Sequence, residues 1–359
     1  MSSSTAAASE SGARRPLRVA VIGCGDISAL HLDALSGLDG VELVAVCDTD
    51  PGRLAAAVAE RGVPGFASHS ALFDAIPLDA VHVTTPHHEH ASITIEALRE
   101  GIHVLLEKPL AHSRADAARL LAEAEASTAT LGVCFQNRYN APAQAAKAII
   151  DSGELGAVQG IAATVLWHRA PDYYRERPWR GQWATGGGGL LMNQAIHTLD
   201  LVQWFGGAVT DVQGHASTRA LAHVIEVEDT AEVALVHESG ARSVLYATLA
   251  HSTNLPVTID VELERGSLSI RGSLTVTRAD GSIDVVDERA AAAGARSYWG
   301  VSHELLIADF YRRLAAGIPF WIDGREALTS LEIIQKVYDQ TYPERGALPS
   351  RSYPTTGTL

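Results

Sequence analysis

From Leu17 to about Gln136, short apolar runs rich in β-branched residues alternate with amphipathic stretches. Leu17–Ile22 is apolar throughout except for Arg18, and the amphipathic Ile27–Leu38 follows it after a turn. Val41–Cys47, a helix through Arg53–Arg61, a short third strand near Gly65–Ala67, Ala80–Thr85, the helix His90–Glu100, His103–Leu106, the helix Ala115–Ala126 and Leu131–Phe135 continue the alternation. Strands that are apolar along their whole length are buried on both faces. With helices between them, they predict a doubly wound α/β unit on a parallel sheet.

The pattern changes after about Asn140. A helix (Ala141–Ser152) leads to a strand over Val158–Trp167, a loop rich in Trp, Tyr and Arg, the glycine run Gly186–Gly189, and a helix over Leu191–Phe205. Long strands joined by turn residues come next: Glu232–His237 with Arg242–Ala250, Val257–Glu264 with Ser267–Arg271, and Leu274–Arg278 with Ile283–Val286. Such pairing across short turns predicts antiparallel sheet. Ala290–Ala295 reads as a loop or short helix. Two helices close the pattern, about Val301–Ala316, with Ser302 as its N-cap, and Arg325–Tyr338. The division is a disordered tail over 1–16, an α/β unit over 17–137 and an α+β unit over 138–359.

Composition narrows the function. The 359 residues carry a formal net charge of −14, which argues against nucleic-acid or anionic-membrane partners. A phosphate-bearing cofactor stays admissible, because a helix N-terminus binds phosphate without side-chain cations. Three scattered cysteines, Cys24, Cys47 and Cys134, give neither a disulfide framework nor a zinc knuckle and read as buried thiols. The start of the chain lacks the apolar segment of a signal peptide, and no charge-free apolar run approaches a membrane span. A reducing cytoplasm is the default location.

The turn Gly23-Cys24-Gly25-Asp26-Ile27-Ser28 follows a strand and opens a helix. A dinucleotide-binding G-x-G-x-x-G turn uses its first two glycines for tightness and for approach to the pyrophosphate. Here the third position is serine, still small enough to keep helix and strand close. Asp48 ends the next strand and suits the hydroxyls of an adenosine ribose, favouring NAD over NADP, with Arg53 nearby as a counterweight. An ordinary βαβ turn is the bland alternative. Ligands of such sheets gather at the carboxyl ends of strands. Gly23, Gly25, Asp26, Ile27 and Asp48, with Thr85, Pro86, His90, Glu107, Lys108 and Gln136 at later strand ends, are therefore the candidate cofactor contacts.

Lys108, at the end of the fifth strand, can share a proton with a reacting hydroxyl, though a surface lysine passing a strand end reads equally well. His197 lies in a predicted helix with Asn193 four residues before it and Asp200 three after, spacings that share one face. A histidine there can take the proton that alcohol oxidation releases, while a hydrogen-bonded core histidine is the competing reading. Gly186–Gly189 would let backbone approach a ligand, or would form a plain loop. Tyr173, Tyr174, Trp179 and Arg180 suit a sugar or polyol, or else a packed lid. His87-His88-Glu89-His90 invites a metal, but no partner with zinc spacing is evident, and no metal is expected.

Several segments together resemble the Gfo/Idh/MocA family of sugar and inositol dehydrogenases: VIGCGDISALH, TTPHHEHASITIEALREGIHVLLEKPLA, FQNRYN, WRGQWATGGGGLLMNQAIHTLDLVQW and SHELLIADFYRRLAAGIPFWIDGREAL. The resemblance implies a Rossmann domain followed by an open, mostly antiparallel sheet whose outer face commonly makes homodimers or homotetramers. It implies that Lys108 and His197 are catalytic, with Asn193 beside them, and that Lys108–Pro109 is a cis peptide. Tyr174, Trp179, Arg180, Asn193, His197 and Lys108 become the expected substrate contacts. Inositol dehydrogenase-like members carry an aspartate where this chain has Asn193. A neutral amide positions but cannot accept a proton, so proton removal falls to His197 or Lys108. The expected activity is NAD-dependent oxidation of a secondary hydroxyl on a sugar, glycoside or cyclitol. The other readings are an NAD-retaining glycosidase or dehydratase and a non-catalytic NAD or sugar sensor.

Overall fold

The computed structural model describes residues 15–289 and 302–344. The expectations for residues 1–14, for Ala290–Ala295 and for Val301 lie outside the described residues. Strands β1 (Leu17–Ile22), β2 (Val41–Cys47), β3 (Gly65–Phe66), β4 (Ala80–Val83), β5 (His103–Glu107) and β6 (Leu131–Cys134) form one parallel sheet in the order β3-β2-β1-β4-β5-β6. Every residue of β4 and β6 is buried, as are the last four of β1. That burial is the physical reason for their unbroken apolar sequence, since helices cover both faces. The strand order reverses between β1 and β4, and at such a switch the carboxyl ends of the strands open a crevice. The glycine turn enters it from β1.

The second sheet holds β7 (Val158–Leu166), β8 (Val209–Ser217), β9 (Thr230–His237), β10 (Arg242–Thr248), β11 (Thr258–Leu263), β12 (Gly266–Arg271), β13 (Ser273–Arg278) and β14 (Ile283–Val286). Its order is β14-β13-β12-β11-β7-β10-β9-β8, and every neighbouring pair is antiparallel except β7 with β10. The strand β8 was not set apart by the sequence pattern. Its polar, glycine-containing sequence takes its register from pairing with β9. A helix over Gly324–Thr341 lies along β8 and reaches back to the helix Arg114–Ala126 of the first unit.

The chain crosses between the two units more than once. The helix Ser302–Ala316 packs on the helix Ser28–Ser36 of the Rossmann unit. The Val133 N–H then donates to the Ile322 carbonyl at 2.9 Å, which adds a further segment beside β6. Gly132 has no room for a side chain there, because a Cβ would lie 2.7 Å from Phe320 and 3.0 Å from Phe310. Residues 302–322 thus complete the core of a domain whose strands end at Cys134. Ser302 is the first helical residue rather than the cap expected of it, and its hydroxyl meets the Asn140 side chain. Among the described residues no helix is long and apolar enough to cross a membrane.

Candidate active site

Gly23 adopts φ +97°, and a Cβ on it would come within 2.8 Å of the Thr84 backbone. Only glycine lets the turn after β1 pass this close to the end of β4. A Cβ on Gly25, by contrast, would meet nothing within 4 Å, so the backbone there faces open space. Ser28, in the third glycine's place, donates its hydroxyl to the Gly25 carbonyl at 2.6 Å and fastens the turn to the helix. Asp48 is buried and accepts the backbone N–H of Cys24 and of Asp50, each at 2.7 Å, with the Arg53 guanidinium at 3.3 Å. Its carboxylate therefore sits fixed against the turn, where it can take ribose hydroxyls and repel a 2′-phosphate. Asp48→Ser should lower the NAD-over-NADP ratio of kcat/KM at least about tenfold, the weight of one charge-assisted hydrogen bond. Steady-state kinetics with both nucleotides measure this, and an unchanged ratio would remove Asp48 from nucleotide choice.

Two sequence candidates at the strand ends, His90 and Glu107, have protein partners at their polar atoms. His90 is buried with one ring nitrogen 2.8 Å from the Pro109 carbonyl and the other 3.0 Å from that of Thr85, and as a neutral imidazole it donates to one of the two. Burial lowers its pKa to about 4. His87 turns to the Gly186 carbonyl and His88 to Glu89, so the His-His-Glu-His run diverges instead of converging. The Glu107 carboxylate enters a buried cluster and accepts from His31 at 3.0 Å and His303 at 3.2 Å. The two histidines hold it ionised, well below the usual carboxylate range.

That cluster has a definite direction. With Glu107 ionised, His31 must donate from Nε2, so its Nδ1 accepts from His82 Nδ1 at 2.8 Å. His82 Nε2 then accepts from the Tyr311 hydroxyl at 2.8 Å. Both imidazoles are neutral, and burial lowers the pKa of each below 6.5. The Cys134 thiol lies near enough that atoms of His31, Glu107 and Cys134 fall within 4.8 Å of one another. The donor–acceptor distances are those of a hydrogen-bonded network, which accounts for the cluster fully. His31 and His82 titrate freely only when the chain unfolds. Stability should therefore be complete above pH 6.5 and fall as pH drops below it, by about 1.4 kcal/mol per pH unit for each such histidine. Urea midpoints between pH 7.5 and 5 test this, and a flat profile would contradict neutral, buried imidazoles.

Lys108 stands at the centre of the site. The Lys108–Pro109 peptide is cis, as the resemblance implied. Lys108 Nζ donates to the Asn193 backbone carbonyl at 2.8 Å. Burial lowers its pKa, Glu107 partly restores it and Arg180 lowers it further. The single helix predicted over Leu191–Phe205 is two pieces, a π turn over Leu191–Ala195 and an α-helix over Ile196–Gly206. A π turn re-phases the residues before it against those after it and recurs at functional sites. Asn193 thereby offers its carbonyl to Lys108. Asp200, in the same α-helix as His197, pairs with Arg138 through two 2.7 Å bonds. Burial, with Lys108 next, holds His197 well below its usual pKa and hence neutral. Thr85 Oγ1, Gln136 Oε1 and His197 Nδ1 are buried without a protein hydrogen-bond partner. They are the kind of acceptors and donors that a nicotinamide and a substrate hydroxyl would satisfy. With open space at Gly25 and a fixed Asp48, these residues fit NAD.

The aromatic loop is rearranged relative to expectation. Tyr174 is 2% exposed, and its buried hydroxyl has no protein hydrogen-bond partner. Its neighbour Tyr173 faces the site instead and receives the side-chain amides of Asn193 and Gln194 on its hydroxyl. Trp179 packs edge-on against His87. Arg180 reaches Asp26 at 3.1 Å, with Arg177 at 3.4 Å, so both cross from the second unit onto the dinucleotide turn. The glycine run serves protein packing rather than ligand approach. A Cβ at Gly187, Gly188 or Gly189 would lie within 2.2 Å of His112, Tyr338 or Glu228 respectively. Glu228, unmarked by any motif, accepts the N–H groups of Gly189 and Leu191 and the Tyr338 hydroxyl, and so anchors the start of the π turn.

Comparison with known proteins agrees with this geometry. Residues 17–135 match the oxidoreductase family with an NAD-binding Rossmann fold, and residues 143–269 match the GFO/IDH/MocA C-terminal domain. The chain belongs to the Gfo/Idh/MocA family. This family member is 32% identical to the WlbA dehydrogenase of Bordetella pertussis, solved with NADH and UDP-GlcNAcA. The match covers 93% of this chain and 98% of that one, with a TM-score of 0.80. It is 26% identical to D-apiose dehydrogenase of Rhizobium rhizogenes over 90% of this chain and 94% of the relative. It is also 27% identical to inositol 2-dehydrogenase of Salmonella paratyphi B over 93% and 98%. The Gfo/Idh/MocA protein described here is an NAD-dependent oxidoreductase acting on CH–OH groups.

Proposed function

We propose that this protein oxidises a secondary hydroxyl of a sugar, glycoside or cyclitol, reversibly, with NAD as hydride acceptor. The observation that carries the reading is the junction at Lys108. Its Nζ is held by the Asn193 carbonyl at 2.8 Å at the end of β5, beside a neutral His197. An ammonium bound on one side keeps its remaining N–H groups for a substrate oxygen, and its lowered pKa eases proton exchange with that oxygen. Bound NAD supplies the hydride-accepting carbon. The chain's own residues orient the alcohol and take its proton, on the neutral imidazole of His197 or on Lys108 in its neutral amine form, since Asn193 cannot.

Relatives with sugar and cyclitol names, the D-apiose and inositol 2-dehydrogenases, support this substrate class, and the WlbA structures extend it to nucleotide-linked sugars. The exposed Val244, Tyr246, Ile283 and Val285 on β10 and β14 of the open sheet fit a homo-oligomer. Absorbance of reduced cofactor across a panel of aldoses, glycosides, cyclitols and sugar nucleotides tests the proposal. Turnover of one member with stoichiometric NADH supports it. NAD retained through purification with no net NADH would favour a transient-oxidation lyase or hydrolase instead.

A further inference from the structure

We propose that Tyr173 reads a second substrate hydroxyl, the neighbour of the one oxidised, and so helps set which sugar is accepted. This rests on the dehydrogenase reading above. The argument starts from Lys108, whose Nζ meets the backbone carbonyl of Asn193. The side chain of that same residue donates to the Tyr173 hydroxyl at 3.3 Å, and Gln194 donates to it at 3.1 Å. The Tyr173 oxygen is therefore one residue away from the group that handles the reacting alcohol.

With two amide N–H groups directed at its oxygen, the phenol has its own proton left to donate. The ring is held in place as well. The Arg180 guanidinium carbon lies 4.4 Å from its centroid and that of Arg169 lies 5.4 Å away. The adjacent Tyr174 packs edge-on against it at 5.0 Å. A half-buried phenol fixed on its ring and at its oxygen is a preorganised donor, and a site built around a hydroxyl discriminates strongly against an analogue lacking it. On a cyclic polyol the hydroxyl next to the oxidised carbon is the one this assignment gives to Tyr173.

The test uses the NAD-loaded full chain, the best substrate from the panel, and its analogues deoxygenated on either side of the oxidised carbon. Wild type should prefer the parent sugar over one of these by at least about tenfold in kcat/KM, the weight of a buried hydrogen bond. Tyr173→Phe should reduce that preference to within about twofold while NAD affinity stays unchanged. Gln194→Leu, which removes one of the two amides on the hydroxyl, should narrow the preference in the same sense but less. If Tyr173→Phe keeps the discrimination, or loses both sugars and NAD alike, the assignment fails and the dehydrogenase reading stands. If wild type binds NAD but neither oxidises nor binds any panel member, that reading falls and takes the assignment with it.

Discussion

Lys108→Ala is expected to lower kcat for the accepted sugar by about a thousandfold or more, within the range general acid–base groups contribute. NAD affinity should change little if, as proposed, the phosphates and ribose are held at Gly25 and Asp48. The variant leaves the Asn193 carbonyl without its donor, so some loosening of the π turn is also expected. Lys108→Met also removes that donor but keeps the bulk of the side chain, so comparison with Lys108→Ala isolates the loss of packing from the loss of the nitrogen. Both variants should be equally inactive and fully folded by near-ultraviolet circular dichroism. Turnover within tenfold of wild type in Lys108→Met would move the proton chemistry to His197.

The second large effect is one of stability. Arg138 is buried, binds Asp200 in bidentate fashion, reaches Glu326 at 2.8 Å and has Trp204 and Trp321 within 5.7 Å of its guanidinium carbon. Arg138→Met strands the Asp200 carboxylate in the core and should cost about 3–5 kcal/mol. Arg138→Met combined with Asp200→Leu should recover part of that loss, because removing both charges abolishes the desolvation penalty. Urea unfolding of wild type, Arg138→Met, Asp200→Leu and the double variant measures the coupling. Additive losses would mean that the pair is not the unit that matters. Because Asp200 lies in the His197 helix, the single variant should lose activity along with stability.

The parallel sheet was legible because burial on both faces forces unbroken apolar strands, and the turn was legible because Gly23 is sterically obligatory. Lys108 was legible from its place at a strand end within a family-like segment. Other features lay beyond what local pattern encodes. Arg138 meets Asp200 across 62 residues and Glu326 across 188, and no local pattern records such a pairing. The Glu107 cluster is assembled from five elements in the same way. The π turn changes backbone phase without changing the spacing of apolar residues, so a regular helix was expected. Tyr173 and Tyr174 sit in a four-residue helix, too short for periodicity to say which one faces inward. For glycines 187 to 189 composition leaves ligand approach and a plain loop open, and it does not encode their close neighbours His112, Tyr338 and Glu228.

The return of residues 302–322 to the first domain bears on how the molecule is made. After Asn137 leaves the ribosome, about 165 further residues must be synthesised before Ser302 emerges, on the order of ten to thirty seconds at ordinary elongation rates. Throughout that interval Glu107 lacks His303, His82 lacks Tyr311, and β6 has a bare edge beside Gly132. Until then the Rossmann unit lacks part of its native core, which residues 302–322 complete.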